Sequence, residues 1–169
     1  NIFIVDNLSR KGTSINLRYL QEKHQTIQFI YGDIRNYYDL QSVFWNYTFD
    51  YVFLLAGQVA VTTSVVNPRK DFEINAHGTF NVLEAMREAR SEAILLYSST
   101  NKVYGGMETL KIGERNDRYQ YNNLPDGISE DVLLDFHSPY GCSKGAADQY
   151  VKDYRKIYGL NTYVIRQSC

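Results

Sequence analysis

The chain has 169 residues, 44% hydrophobic and 22% charged, the make-up of one globular domain with its own core or a large part of such a domain. Its 18 Lys and Arg against 19 Asp and Glu leave a net charge of -1, so there is no basic excess to neutralise phosphates, and nucleic acid is a poor partner. The longest apolar runs, Val52 to Ala56 and Ala93 to Leu96, fall far short of the ~20 residues that span a bilayer. Cys142 and Cys169 make neither a disulfide framework nor a metal cluster, so a cytoplasmic protein with no membrane contact and no metal is expected.

In chain order, Asn1 opens directly into Ile2-Phe3-Ile4-Val5-Asp6, a buried-strand pattern. Similar runs of Ile, Val, Leu and Phe follow at 27–31, 51–56, 93–97 and 161–166, separated by amphipathic stretches at 13–23, 39–47, 71–90 and 138–158. Within 71–90, Phe72, Ala76, Phe80, Leu83 and Met86 recur every three or four residues, the spacing of one helix face. Strands alternating with helices predict an α/β fold, a Rossmann-type doubly wound parallel sheet with right-handed crossovers. Residues 105–137 break the rhythm. They are polar, carry turn signals such as Pro125-Asp126-Gly127, and greatly exceed the usual ~2–6 residues of such loops. A loop with a functional role is expected there, with a disordered surface insert as the alternative. Both ends of the chain carry strand patterns, so it reads as an interior piece of a longer protein, residues 1–169 forming part of a nucleotide-binding domain.

Ligands of doubly wound sheets sit outside the carboxyl ends of the strands. The residues there are Asp6, Asp33, Ala56-Gly57-Gln58 and Ser98-Ser99-Thr100. A strand-end carboxylate such as Asp6 can accept both hydroxyls of a ribose and repels a 2′-phosphate, which favours NAD over NADP. Arg10 argues the other way, and a strand-end Asp also serves as a simple turn or cap. Gly57 lets backbone approach a ligand closely, or makes an ordinary turn. The sharper signal is Tyr140 with Lys144: four apart on a helix, the ammonium lies on the phenol's face and favours its ionised form. With 15 Tyr and 8 Lys, chance alone gives roughly 0.7 such pairs, and Tyr19 with Lys23 is a decoy. Context separates them, because Tyr140 follows Pro139 at a helix start and comes after the hydroxyl-bearing segment that ends in Thr100. His24, His77 and His137 show no triad or metal spacing, and Cys142, with no partner His, reads as helix packing.

Taken together, Asp6-Asn7-Leu8-Ser9-Arg10, Gly32-Asp33-Ile34-Arg35, Leu55-Ala56-Gly57-Gln58, Asn75, Ser98-Ser99-Thr100 with Val103-Tyr104-Gly105, and Tyr140-x-x-x-Lys144 resemble the extended short-chain dehydrogenase/reductase family of nucleotide-sugar epimerases and dehydratases. The resemblance implies Thr100, Tyr140 and Lys144 as the catalytic set and NAD as the cofactor. It implies Asp6, Asn7, Ser9 and Arg10 on the adenosine ribose side and Asp33 and Ile34 beside the adenine. Leu55, Ala56, Gly57 and Gln58 would lie under the cofactor, with Asn75, Ser98, Tyr140 and Lys144 also on its side. The family's first strand with its glycine-rich turn and its C-terminal substrate domain are absent from these residues.

The implied reaction is epimerisation of a nucleotide sugar, closest to the C2 epimerases, through transient oxidation with bound NAD. Three alternatives stand beside it: C4 epimerisation, a 4,6-dehydratase, and a noncatalytic NAD-binding sensor or scaffold. The dehydratases carry an Asp-Glu pair after the Thr, where this chain has Asn101 and Lys102. The helices at 71–90 and 138–158 resemble the pair through which the family's homo-oligomers form.

Overall fold

The computed structural model describes residues 1–124 and 126–168; the turn residue Pro125 and the terminal Cys169 lie outside the described residues. In chain order the elements are β1 (Ile2–Asp6), α1 (Thr13–Lys23), β2 (Ile27–Tyr31), α2 (Tyr37–Asn46), β3 (Tyr51–Leu54), α3 (Val61–Val66), α4 (Pro68–Phe72), a π-helical turn (Glu73–His77), α5 (Gly78–Glu88), β4 (Ile94–Thr100), a 3-10 turn (Asn101–Tyr104), β5 (Ile112–Arg115), β6 (Arg118–Tyr121), α6 (Ser138–Tyr158) and β7 (Thr162–Gln167). Caps explain two of the starts. Asn36 accepts the Tyr38 N–H ahead of α2, and Asn67 accepts the Lys70 N–H ahead of α4, where Pro68 needs no donor partner.

The β1 and β2 strands pair in parallel, and β3, β4 and β7 form a parallel sheet in the order β3-β4-β7. One edge of β1 and one edge of β3 pair with no strand among the described residues. The core fills the space between the β4-centred sheet and its helices: Leu54, Leu95 and Tyr97 from the strands meet Leu83, Ala85 and Met86 of α5 and Ala147 and Val151 of α6. Leu95 and Tyr97 on one face of β4 are buried, while Ile94 and Leu96 on the other are half-buried.

Several boundaries differ from the sequence reading. Pairing with β7 carries β4 on through Thr100, opposite Gln167, so Ser98, Ser99 and Thr100 belong to the strand and do not follow it. The β3 strand stops at Leu54 because the Leu55 N–H turns back onto the Phe53 carbonyl at 3.1 Å. Residues 105–137 contain an antiparallel hairpin, β5 with β6, and the segment is tied to the domain by the Asp135 N–H on the Val103 carbonyl at 3.0 Å. The helical run expected over 71–90 is interrupted by the π-helical turn, whose extra residue per turn rotates the helix face. As a result Asp71 points inward at 1% exposure and Phe72, expected in the core, is 56% exposed.

The unpaired edges of β1 and β3, with Ile2 and Phe53 exposed on those strands, are templates for further strand pairing. Residues 1–169 expressed alone should therefore self-associate and melt over a broad range. Sedimentation velocity and scanning calorimetry check this, and a monomer with one transition of equal calorimetric and van't Hoff enthalpies would refute it.

Candidate active site

The first turn of α6 is fixed from several sides. A helix start leaves backbone N–H groups without partners. Here Pro139 has none to place, the Tyr140 N–H donates to Ser64 Oγ of α3 at 3.1 Å, and the Gly141 N–H donates to Ser138 Oγ at 3.2 Å. Tyr140 is thereby held buried at the point where α3, α6 and the end of β4 converge. One turn further, Lys144 reaches back to β4, where its Nζ donates to the Ser98 carbonyl at 2.5 Å and lies 4.3 Å from the centre of the Tyr97 ring. Burial pushes the Lys144 ammonium down to about 8, against the opposing pull of Asp148 and Asp71. Thr100, at the end of the same strand, caps the following 3-10 turn by accepting the Lys102 N–H at 3.3 Å. Strand β4 thus carries Thr100 and helix α6 carries Tyr140 and Lys144, all three buried. The decoy pair makes only a surface contact, Lys23 Nζ 5.8 Å from the ring of the exposed Tyr19.

The loop after β3 joins this cluster. Asn75, in the π-helical turn, accepts the Gln58 N–H on Oδ1 at 2.9 Å, while its Nδ2 donates to the Gln58 carbonyl and to Ser143 Oγ, both at 3.1 Å. A Cβ on Gly57 would stand 3.2 Å from Asn75 Oδ1 and 4.0 Å from Lys144 Nζ. The missing side chain lets Asn75 and the loop backbone pack closely beside the lysine. Leu55 and Ala56, at the exposed start of this loop, make no side-chain polar contact.

A second cluster lies at the carboxyl ends of β1 and β2. Asp33 accepts from Asn7 Nδ2 at 2.8 Å and from Arg35 Nη2 at 2.6 Å, and Arg35 beside it holds its carboxyl well below the usual carboxylate range. Asp6 Oδ1 accepts the Leu8 N–H at 2.6 Å, Asn7 Oδ1 accepts the Ser9 N–H at 3.0 Å, and the Arg10 carbonyl closes the turn into α1. Ile34 packs on α5 where Gly78 has no side chain; a Cβ there would lie 2.6 Å from Ile34 Cδ1. Asn81 of α5 donates to the carbonyls of Ile34 and Arg35 at 2.9 and 3.1 Å, linking this cluster to the helix that continues from Asn75.

Other polar groups of the site lie outside the sequence motifs. Asp148 and Arg166 form a buried bidentate pair, Nε to Oδ2 at 2.9 Å and Nη2 to Oδ1 at 3.0 Å, to which Ser99 Oγ and the Tyr104 hydroxyl are joined. Asp71 accepts from Ser143 Oγ and from Gln58 Nε2. The only signal for these was position, one turn from Lys144 or from Asn75. Cys142 is exposed and does not pack within the helix bundle, because it falls on the outer face of α6. His24, His77 and His137 are exposed, and His137 pairs with Asp135 at 3.0 Å. Among the described residues no cluster could hold a metal, and no helix is long and apolar enough to cross a membrane.

The parallel α/β arrangement goes with membership of a family: residues 1–168 match the family described as GDP-mannose 4,6 dehydratase, and the chain belongs to the NAD-dependent epimerases and dehydratases. More particularly, it is 52% identical to CDP-paratose 2-epimerase of Salmonella typhi over 168 residues, 99% of this chain and 49% of that protein. It is also 31% identical to UDP-glucose 4-epimerase of Pisum sativum over 160 residues, 92% of this chain and 41% of the relative. Among solved structures, the dTDP-glucose 4,6-dehydratase DesIV of Streptomyces venezuelae, with NAD bound, superposes with a TM-score of 0.78 at 25% identity, covering 98% of this chain and 45% of that one. The chain spans about half the length of the relatives it matches.

Two outcomes follow from the buried charges. Replacing Asp148 by Asn strands the Arg166 guanidinium in the interior and should cost about 3–5 kcal/mol of stability, measured by denaturant unfolding of the full-length protein. Lys144 binds its proton less tightly when folded than unfolded, so between about pH 8 and the ordinary lysine value of 10.5 the unfolded state holds more protons and stability rises with pH. The Tm of wild type should therefore gain on that of Lys144→Met across this window; a constant difference would contradict it.

Proposed function

We propose that the full-length protein is a nucleotide-sugar epimerase that works by transient oxidation with NAD and inverts C2 of CDP-paratose to give CDP-tyvelose. The observation that carries this reading is the buried set of Thr100, Tyr140 and Lys144 on β4 and α6, in a chain 52% identical to a CDP-paratose 2-epimerase. Leu55 to Gln58, Asn75, Ser98 and Lys144 would hold the nicotinamide end of the cofactor. Asp6, Asn7, Ser9, Arg10, Asp33 and Ile34 would hold the adenosine end. When bound, NAD supplies an acceptor for the C2 hydride and a donor that returns it.

The chain's own groups handle the proton. Direct removal of an unactivated C–H proton leaves a carbanion with nowhere to place its charge, so the hydroxyl proton is the one to move. Tyr140 Oη takes it as the carbon is oxidised, then gives it back after the keto sugar has presented its other face. A free phenol has a pKa near ~10, and the Lys144 ammonium, one turn away in a low-dielectric setting, favours the phenolate. The Thr100 hydroxyl donates to the same substrate oxygen and steadies the charge that develops there. Elimination of water needs a further acid and base; Asn101 and Lys102 stand where the dehydratases have carboxylates, which argues against that reaction. C4 epimerisation is the second reading, favoured by the likeness to UDP-glucose 4-epimerase.

This function goes with a cytoplasmic enzyme and with a longer chain, in which a preceding strand lies between β1 and β3, its glycine-rich turn takes the pyrophosphate, and a following domain binds the nucleotide sugar. It also goes with a homo-oligomer formed through the helices at 71–90 and 138–158, the second of which exposes Tyr150, Ile157 and Tyr158. NMR product analysis with CDP-paratose and no added NAD should show C2 inversion; inversion at C4 or loss of water would displace this reading. Tyr140→Phe should lower turnover by about 10²-fold or more while bound NAD is retained. Tyr19→Phe should change neither.

A further inference from the structure

The reaction leaves one buried charge unused. Asp71 is 1% exposed, and the donors on its carboxylate are all neutral: Ser143 Oγ, Gln58 Nε2 at 2.7 Å and Asn75 Nδ2 at 3.4 Å. No cation lies within ion-pair distance of it among the described residues. A carboxylate in that position is costly to bury unless a positive charge nearby compensates it. Lys144 has the converse problem. It is 7% exposed, its ammonium is met by a carbonyl and an aromatic face, and no carboxylate touches it.

The two are linked through their neighbours. Ser143, the donor to Asp71, is the residue before Lys144 on α6, and Asn75, which also donates to Asp71, lies with Lys144 Nζ beside Gly57: a Cβ there would stand 3.2 Å from Asn75 Oδ1 and 4.0 Å from Lys144 Nζ. The titratable groups acting on Lys144 are Asp71 from α4, Asp148 from its own helix and Tyr97 from β4, with Tyr140 one turn before it. Of these, Asp148 is already matched by Arg166 in a bidentate pair. Among the described residues, Asp71 carries the one negative charge acting on the lysine that no direct ion pair satisfies.

We propose that Asp71 is a positioning residue of the active site, the counter-charge that keeps Lys144 protonated and the anchor that holds Gln58, Asn75 and Ser143 around it. This rests on the reading of Tyr140 and Lys144 given above, since a charged Lys144 is what makes Tyr140 a base. The π-helical turn is the device that makes it possible: without its extra residue, the inward position falls to Phe72.

The test uses the full-length, NAD-bound protein with lysine side chains labelled for nitrogen NMR, the Lys144 signal being identified by its loss in Lys144→Met. In wild type Lys144 should titrate near pH 8. In Asp71→Asn, which keeps the shape and removes the charge, its midpoint should fall by about one pH unit and kcat should fall about tenfold with NAD still bound. An unchanged Lys144 midpoint in Asp71→Asn overturns the proposal. If that variant does not fold, Asp71→Ser is read in the same way: a lowered Lys144 midpoint upholds the proposal and an unchanged one overturns it. A protein that epimerises nothing yet shows the Asp71-dependent shift would remove the enzymatic reading and leave the charge pairing standing.

Discussion

The Lys144 ammonium, bonded to the Ser98 carbonyl and seated over Tyr97, ties the longest helix to the central strand, and the arrangement of the site follows from that tie. A cation placed this deep must be surrounded by dipoles and distant charges. The surroundings supply them: a strand carbonyl, an aromatic face and two buried carboxylates on different helices. Each partner is in turn committed. Asp148 is locked to Arg166 on β7 and to Ser99, and Asp71 to Ser143 and Gln58, so the strand, helices and loop around the lysine are fixed by two polar clusters, one on each carboxylate.

Those clusters would let the proposed chemistry run on few residues. Tyr140 is held by a backbone bond to Ser64 as well as by its own helix, so its phenol is carried by a rigid frame. Thr100 occupies the last paired position of β4. The polar cluster at the ends of β1 and β2 has a different character, half exposed and built on short turns, suited to holding a ligand's far end more than to moving protons.

Much of this was legible in the sequence because it rests on local rules. The alternation of apolar runs with amphipathic stretches marked the parallel sheet, and Pro139 ahead of Tyr140 marked the start of α6. What escaped reading depends on pairing at a distance. Helix α3 has no strong period of its own and forms against α6, and the length of β4 is set by its register with β7. Phe72 was misplaced because a π-helical turn breaks the three-four spacing that an ordinary helix would keep. The ion pair of Asp148 with Arg166 joins residues that no sequence spacing relates, and the importance of Asp71 depends on that same helical irregularity.

The bridge that Asn81 makes to the carbonyls of Ile34 and Arg35 has an evolutionary consequence. The same continuous helical run carries Asn75 at the lysine, Gly78 against Ile34, and Asn81 on the turn beyond β2. It acts as a ruler between the two polar clusters. A substitution along it moves both ends together, so grip on one end of an extended ligand cannot be retuned without shifting the geometry at the other. Novelty in this scaffold is therefore steered away from α5 and toward segments tethered at their bases, such as the hairpin between Gly105 and His137.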